Sequence, residues 1–236
     1  MLMGQGRIAI MMRHALIGTT LGVAWMLAPL AHAMAADDAP SLTQAQVVLF
    51  ESNHLKDITR PVRLEYVFTH QGGAGDFTDK VTEDIRDVHP DGRKDVWVQF
   101  LSGTHQMKFP PAIGFNGNPL LMYFLEHDAT EMQQATGGAS GYFRNRIRNA
   151  FLNAEMHSIA ITVDGKTCAG REIVIAPFRD DPHFAQSAFR EKSYRFTLCD
   201  GVPGTIYRIA TTVPAVSNGA GGVYEEAMTY EGEQAL

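Results

Sequence analysis

The sequence predicts an α+β fold in which one antiparallel sheet covers a pair of helices. Alternating apolar and polar residues, typical of half-buried strands, lie on both sides of the chain's middle. A stretch with helical spacing lies between them. Short turns such as Asp164-Gly165 join neighbouring strands, as antiparallel hairpins require. We expect about seven or eight antiparallel strands and a further helix at the N-terminal side.

The first 35 residues predict an export signal. Arg7 and Arg13 precede an apolar run over 15–30, and the small-residue patterns Ala31-His32-Ala33 and Ala33-Met34-Ala35 follow it. This is the order of a secretory signal peptide, and the run is shorter than the roughly 20 residues that span a bilayer. We therefore expect cleavage near Ala33 or Ala35, no membrane-spanning segment afterwards, and a periplasmic product.

The charge and length of the remaining chain narrow the class of protein. The formal net charge of the full sequence is −6, from 20 basic and 26 acidic residues. Loss of the first 35 residues would remove two arginines and no acidic residue, so nucleic acid is not an expected partner. We expect a single globular domain over 36–215 and a Gly-rich linker with an acidic tail over 216–236. An added edge strand over 223–230 stays open.

The elements of the first half follow from caps, alternation and prolines. Ser41 predicts the start of a helix over 42–55, which ends before Pro61. Alternation from Val62 to Phe68 predicts the first strand, and the turn around Pro90 predicts a hairpin. The expected strands of this half cover 62–69, 77–85 and 96–100, with a short run at 107–109 that ends at Pro110-Pro111.

The middle of the chain predicts two helices. Asn118 suits an N-cap and Pro119 a first helical residue, and Gly137-Gly138 suits the end of this helix. A second helix is expected over 140–154. Two helices joined by a glycine turn form an αα-hairpin with one apolar side, which needs a sheet to cover it.

The second half predicts more strands and a disulfide. The expected strands cover 159–163, 168–178, 193–199 and 207–213. An exported chain meets an oxidising compartment, so Cys168 and Cys199 are expected to pair. One lies at the start of a strand and the other at the end of the next, and both are out of phase with the apolar set. We expect both on the same, more polar face.

This order of elements resembles a known class of proteins. A signal peptide, a leading helix, strands, an inserted αα-hairpin and further strands, the last entered through Val202-Pro203-Gly204, are similar to the periplasmic class typified by the lipoprotein carrier LolA. They also resemble a group of exported bacterial proteins of unknown function. The resemblance covers roughly 41–215 and implies an open half-barrel sheet that wraps the helices. It implies a lipid or the acyl chain of a lipoprotein as ligand, but no carrier motif assigns functional residues.

The apolar residues of helices and strands suggest a ligand cavity between them. Burial of apolar surface alone would hold a hydrophobic ligand there, and the alternative is that these residues pack a dry core. The expected lining residues are Tyr66, Phe100, Leu121, Phe124, Phe143, Ile147 and Phe196. Arg144 and Arg148 could meet an anionic head group, although alternate arginines on a helix are more often a solvated face.

Catalytic and metal motifs are weak. The seven histidines after residue 35 do not follow the spacing of an H-E-x-x-H helix, so neither a zinc site nor a cofactor is expected. Asp180, Asp181 and His183 form the densest acid–base cluster, but Asp-Asp-Pro between strands is more often a turn. The preferred hypothesis is a non-enzymatic periplasmic binding or carrier protein for a hydrophobic ligand. A module that binds another envelope protein through an open sheet edge and an exported hydrolase are the alternatives.

Overall fold

The structure is a computed structural model that describes residues 41–72, 75–214 and 224–236. The predicted signal peptide and the Gly-rich part of the predicted linker lie outside these ranges. Within them, no helix has the length and apolar character needed to cross a membrane.

One antiparallel sheet dominates the fold and confirms the predicted α+β class. Its nine strands lie in the order β4-β3-β2-β1-β9-β8-β7-β6-β5 in the described part of the chain, and the two end strands do not pair with each other. The sheet is therefore open, like the half-barrel that the resemblance implied. The strands are β1 Val62–Gln71, β2 Phe77–Val88, β3 Lys94–Phe100, β4 Ala112–Phe115, β5 Glu155–Val163, β6 Lys166–Ile175, β7 Ser193–Cys199, β8 Ile206–Val213 and β9 Tyr224–Ala235.

The last strand corrects the predicted acidic tail. Residues 224–235 form β9, a central strand paired with β1 on one side and with β8 on the other. This strand joins the two halves of the sheet that the sequence predicted separately. Its face toward the helices carries Glu226 beside Met228, so the apolar alternation that predicts a strand is interrupted.

The helices lie on one face of the sheet. Helix α1, Gln44–Gln46, continues into a π-helical turn over Val47–Glu51, so the first helix is shorter than predicted. Its cap is Thr43 rather than Ser41: the Thr43 hydroxyl accepts the Gln46 backbone N–H, and the Gln46 side chain accepts the Thr43 N–H.

The predicted αα-hairpin is present. Helix α2 is Leu120–Thr136, and the Asn118 side chain accepts the Leu120 backbone N–H at 2.9 Å. The helix ends at Gly137, whose left-handed φ of 72° explains why glycine suits this position. Helix α3, Ser140–Ala150, runs into a 3₁₀ turn that reaches Asn153, close to the predicted end.

Irregular pairing bends the sheet around these helices. Register shifts occur between Glu65 and Tyr66, between Ile85 and Asp87, and between Thr197 and Leu198. Such β-bulges add local twist and bend. The concave face and the helices enclose the main apolar core, which includes Phe68, Phe124 and Phe196.

The predicted disulfide Cys168–Cys199 is confirmed. It lies on the sheet face away from the helices. That face is less polar there than expected, because Cys199 packs with Ile161 and Val202 in a second, smaller apolar cluster. In the chain-entropy description, a crosslink between residues 31 positions apart stabilises the fold by roughly 3–4 kcal/mol.

The short predicted run at 107–109 contributes one isolated bridge, between Met107 and Phe100. The strand at this edge is β4 instead, directly after Pro110-Pro111. Proline is tolerated beside an edge strand because a missing N–H matters less there.

Candidate functional site

An apolar groove opens between the N-terminal segment and the helix pair. Its volume is about 280 Å³. Leu42 and Met122, two of its apolar side chains, are 52% and 53% exposed. The full lining is Leu42, Gln46, Phe50, Glu51, Met122, Leu125, Glu126, Arg144, Ile147, Arg148 and Phe151. We refer to this set of residues as the apolar groove.

Local sequence explains why these side chains share one surface. Arg144, Ile147, Arg148 and Phe151 follow the spacing i, i+3, i+4, i+7, which places them on one side of α3 and its final turn. On α2, residues 122, 125 and 126 follow the same rule. The sequence therefore carried a signal for half of the groove, in a helix face that mixes arginine with apolar residues.

Two contacts hold the N-terminal segment against α3. The Thr43 hydroxyl donates a hydrogen bond of 3.0 Å to the Phe151 carbonyl oxygen. The rings of Phe50 and Phe151 meet edge to face, with centroids 5.1 Å apart. The two segments lie about a hundred residues apart in sequence. One wall of the groove therefore forms only when the chain is folded.

Two arginines lie at the rim, and they differ in their partners among the described residues. Arg144 forms a two-pronged pair with Glu126, from Nε to Oε2 at 2.7 Å and from Nη2 to Oε1 at 2.5 Å. Arg148 makes no side-chain hydrogen bond or ion pair with any of the described residues. Of the two arginines predicted to meet an anionic group, Arg148 is therefore the one whose guanidinium is available.

The seven residues predicted to line a cavity lie together in the main core. Tyr66, Phe100, Phe124 and Phe196 are fully buried, and the other three are at most 3% exposed. Of the seven, Ile147 borders the apolar groove. Ligand contact by Tyr66, Phe100, Leu121, Phe124, Phe143 and Phe196 remains a prediction.

A second, more polar groove of about 590 Å³ lies at the other end of α2. Its floor is Glu226, whose Oε1 is 3.0 Å from His70 Nδ1 and 3.3 Å from His127 Nε2. His70 Nε2 also faces a carbonyl oxygen, that of Gly72 at 3.2 Å. Both ring nitrogens of His70 face acceptors, an arrangement that favours the imidazolium form, in which both nitrogens donate.

The charged forms of His70, His127 and Glu226 stabilise one another. The hydrogen bond to Glu226 raises the pKa of His70. Burial by itself would lower the pKa of His127, but the hydrogen bond and charge of Glu226 raise it. Burial would likewise raise the pKa of Glu226, yet the two imidazoles and the Lys192 ammonium hold it well below its ordinary value.

The cluster Asp180, Asp181 and His183 supports the turn interpretation. Asp181 is 3% exposed and caps the 3₁₀ turn Pro182–Phe184, where its Oδ1 accepts the His183 backbone N–H at 3.0 Å. Its other oxygen accepts from the Tyr142 hydroxyl and lies 3.0 Å from Arg146 Nε. These bonds tie α3 to the turn. Among the described residues, no group of three or more His, Cys, Asp or Glu side chains is placed to hold a metal ion.

The chain has distant structural similarity to several solved proteins. No family model and no curated protein matches the chain. Similar solved structures include the lipoprotein LppX of Mycobacterium tuberculosis, with 8% identity and a TM-score of 0.30 over 72% of this chain and 84% of that one. A DUF1329 family protein of Desulfovibrio piger has 10% identity and a TM-score of 0.28 over 76% and 87%.

A LolA superfamily protein of Nitrosomonas europaea has 11% identity and a TM-score of 0.25 over 82% of this chain and 94% of that one. Function is therefore inferred from the residues of the groove.

Proposed function

We propose that this protein is a non-enzymatic periplasmic binding or carrier protein for a hydrophobic ligand with one apolar chain and an anionic head group. The observation that carries the proposal is the apolar groove, where Leu42 and Met122 are half exposed. The guanidinium of Arg148 lies beside them without a partner among the described residues. Burial of such side chains under a ligand chain would be favourable by about 25 cal/mol per Å².

The size of the groove favours a ligand with one apolar chain over a ligand with two. Its volume of about 280 Å³ lies near the lower limit of small-molecule sites, which range over about 300–1,000 Å³. Arg148 at the rim would meet a carboxylate or phosphate while Ile147 and Phe151, on the same helix face, contact the chain. Arg144 would contribute less, because Glu126 already neutralises it.

Substitutions at two equally exposed side chains test the groove. Met122→Glu places a carboxylate in the groove, whereas Leu152→Glu places one at a residue outside the lining, and both parent side chains are 53% exposed. We expect Met122→Glu to weaken the binding of tetradecanoate at least tenfold, because a buried carboxylate is costly. Leu152→Glu should bind like the unaltered protein in the same calorimetric titration.

The head-group assignment has its own control. Arg148→Ala should weaken tetradecanoate binding severalfold and leave the binding of tetradecanol, which lacks the anion, unchanged. Arg144→Ala should have the smaller effect on tetradecanoate. The proposal fails if the unaltered protein binds neither compound, or if Leu152→Glu is as harmful as Met122→Glu.

The natural ligand is identified by native mass spectrometry of protein recovered from the periplasm, followed by solvent extraction. A single-chain lipid in near-stoichiometric amount is the expected result. Leu121 is unsuited to such tests, because at 1% exposure a charged substitution there would disrupt the core.

A further inference from the structure

The two end strands of the sheet differ in how far they resist further pairing. Strand β4 has four residues, follows Pro110-Pro111 directly and pairs with β3 through a register shift. Strand β5 has nine residues, pairs with β6 without a shift, and contains neither proline nor lysine. Short length, proline and bulges are the features that blunt an edge, so β4 is protected and β5 is not.

Both faces of β5 suit an added strand. Ile159, Ile161 and Val163 lie on the same face as the disulfide and belong to the second apolar cluster. On the opposite face, Ser158 and Ala160 are small and exposed. An added strand would thus extend an apolar surface on one face and meet two small side chains at the centre of the other.

We propose that β5 pairs antiparallel with β5 of a second copy of this chain, around a two-fold axis at Ile159. This centre is the one that brings all nine residues of both strands into register. The opposed pairs are then Glu155 with Val163, Met156 with Thr162, His157 with Ile161, Ser158 with Ala160, and Ile159 with itself.

The pairing satisfies the rules for cross-strand neighbours. Glu155 is the single carboxylate of the strand, and it faces Val163 of the second copy, so no like charges oppose each other. Ile159 meets its own counterpart, and the apolar cluster becomes continuous across the axis. The self-complementary sequence favours a second copy over an unrelated strand, since an isologous interface uses one surface twice. The inference is independent of the apolar groove.

Cysteine pairs test the register. Opposed residues have Cα atoms about 4.5–5.5 Å apart, within disulfide range. A mixture of Ser158→Cys and Ala160→Cys proteins should therefore form crosslinked heterodimers on mild oxidation. Each variant alone should crosslink much less, because the same cysteine in the two copies would then be offset by two residues along the strands. The native cysteines are already paired and lie on the other face.

Thr162→Cys is the matched control, exposed and in the same strand. Its counterpart would lie six residues along the second copy, roughly 20 Å away, so it should not crosslink. Crosslinking of Thr162→Cys with itself as readily as the 158–160 mixture would overturn the proposal.

Sedimentation equilibrium tests the association without crosslinks. The unaltered protein should form dimers in a concentration-dependent way, and Ser158→Lys/Ala160→Lys should weaken the dimer roughly tenfold by opposing like charges twice. Ser158→Lys/Ala160→Glu opposes unlike charges at the same positions and should restore it. A protein that is monomeric throughout would overturn the proposal, as would equal dimerisation of the two double variants, while thermal unfolding checks that both are folded.

Discussion

Glu83 and Glu226 are both buried on the sheet face that the helices cover, yet they differ in charge. Burial raises the pKa of Glu83 to about 8, and its hydrogen-bond donor is the neutral Asn118 amide, with Nδ2 3.3 Å from Oε2. Glu226 meets two imidazoles and a nearby ammonium, which hold its pKa well below the ordinary value. Glu83 is therefore neutral at pH 7 and Glu226 ionised, so the charge of a buried carboxyl depends on the cations beside it.

Removal of the charge of Glu226 should have the largest effect. Glu226→Gln leaves His70 and His127 without a counter-ion, and loss of one partner of a buried pair costs about 3–5 kcal/mol. The free energy of unfolding from urea titration at pH 7 should fall by that amount. Glu225→Gln is the control: Glu225 pairs with Arg208 at 35% exposure and should matter by less than about 1 kcal/mol.

Glu83→Gln should raise the free energy of unfolding at pH 7, whereas Glu226→Gln lowers it. The raised pKa of Glu83 means that the protein takes up a proton on folding. The stability that depends on this proton is complete below about pH 4.5 and is lost as the pH rises to about 8. At pH 7 the neutral amide should stabilise the protein by on the order of 3 kcal/mol. Urea titrations from pH 4 to pH 9 should show a flatter profile than the unaltered protein. An unchanged profile would mean that Glu83 is ionised in the folded state.

His70→Gln should have a smaller and pH-dependent effect. Because the pKa of His70 is raised, the stability it adds is present below about pH 6.5 and is lost as the pH rises through the folded value. A hydrogen bond to a charged group is worth about 1.5–3 kcal/mol. The substitution should cost that much at pH 6 and clearly less at pH 9. Equal losses at both values would contradict the imidazolium assignment.

The pair Glu126–Arg144 should matter least for stability. Its side chains are 34% and 46% exposed, and exposed ion pairs contribute about 0–1 kcal/mol. Glu126→Gln should therefore change the unfolding free energy by less than 1 kcal/mol. Because it frees Arg144, which lines the apolar groove, it should also strengthen tetradecanoate binding.

Local rules predicted much of the fold. Asn118 beside the start of α2, the glycine at its end, and the disulfide follow from caps, turn chemistry and compartment. Strand β9 was predicted as a tail, with an edge strand over 223–230 left open, because Glu226 interrupts its alternation and glycines precede it. Its stability comes from two hydrogen-bonded neighbours and from imidazoles on β1 and α2, none of which the local pattern can show.

The site was predicted in fragments. Arg144, Ile147 and Arg148 were identified from the spacing of α3, but Ile147 was assigned to a central cavity and the arginines to its mouth. Leu42 and Phe50 were not identified as site residues, since only the contact of the N-terminal segment with Phe151 brings them to the groove.

The sequence by itself determined the helix pair, the turns that bound it and most of the strands, because alternation, helical spacing and caps depend on neighbouring residues. It also determined that the two cysteines pair. Only the tertiary structure decided that β9 joins the two sheet halves and which glutamate is charged. It also decided which groove arginine has no partner in the described part of the chain. These outcomes depend on residues distant in sequence, whose burial and charge are set only when the sheet and helices pack together.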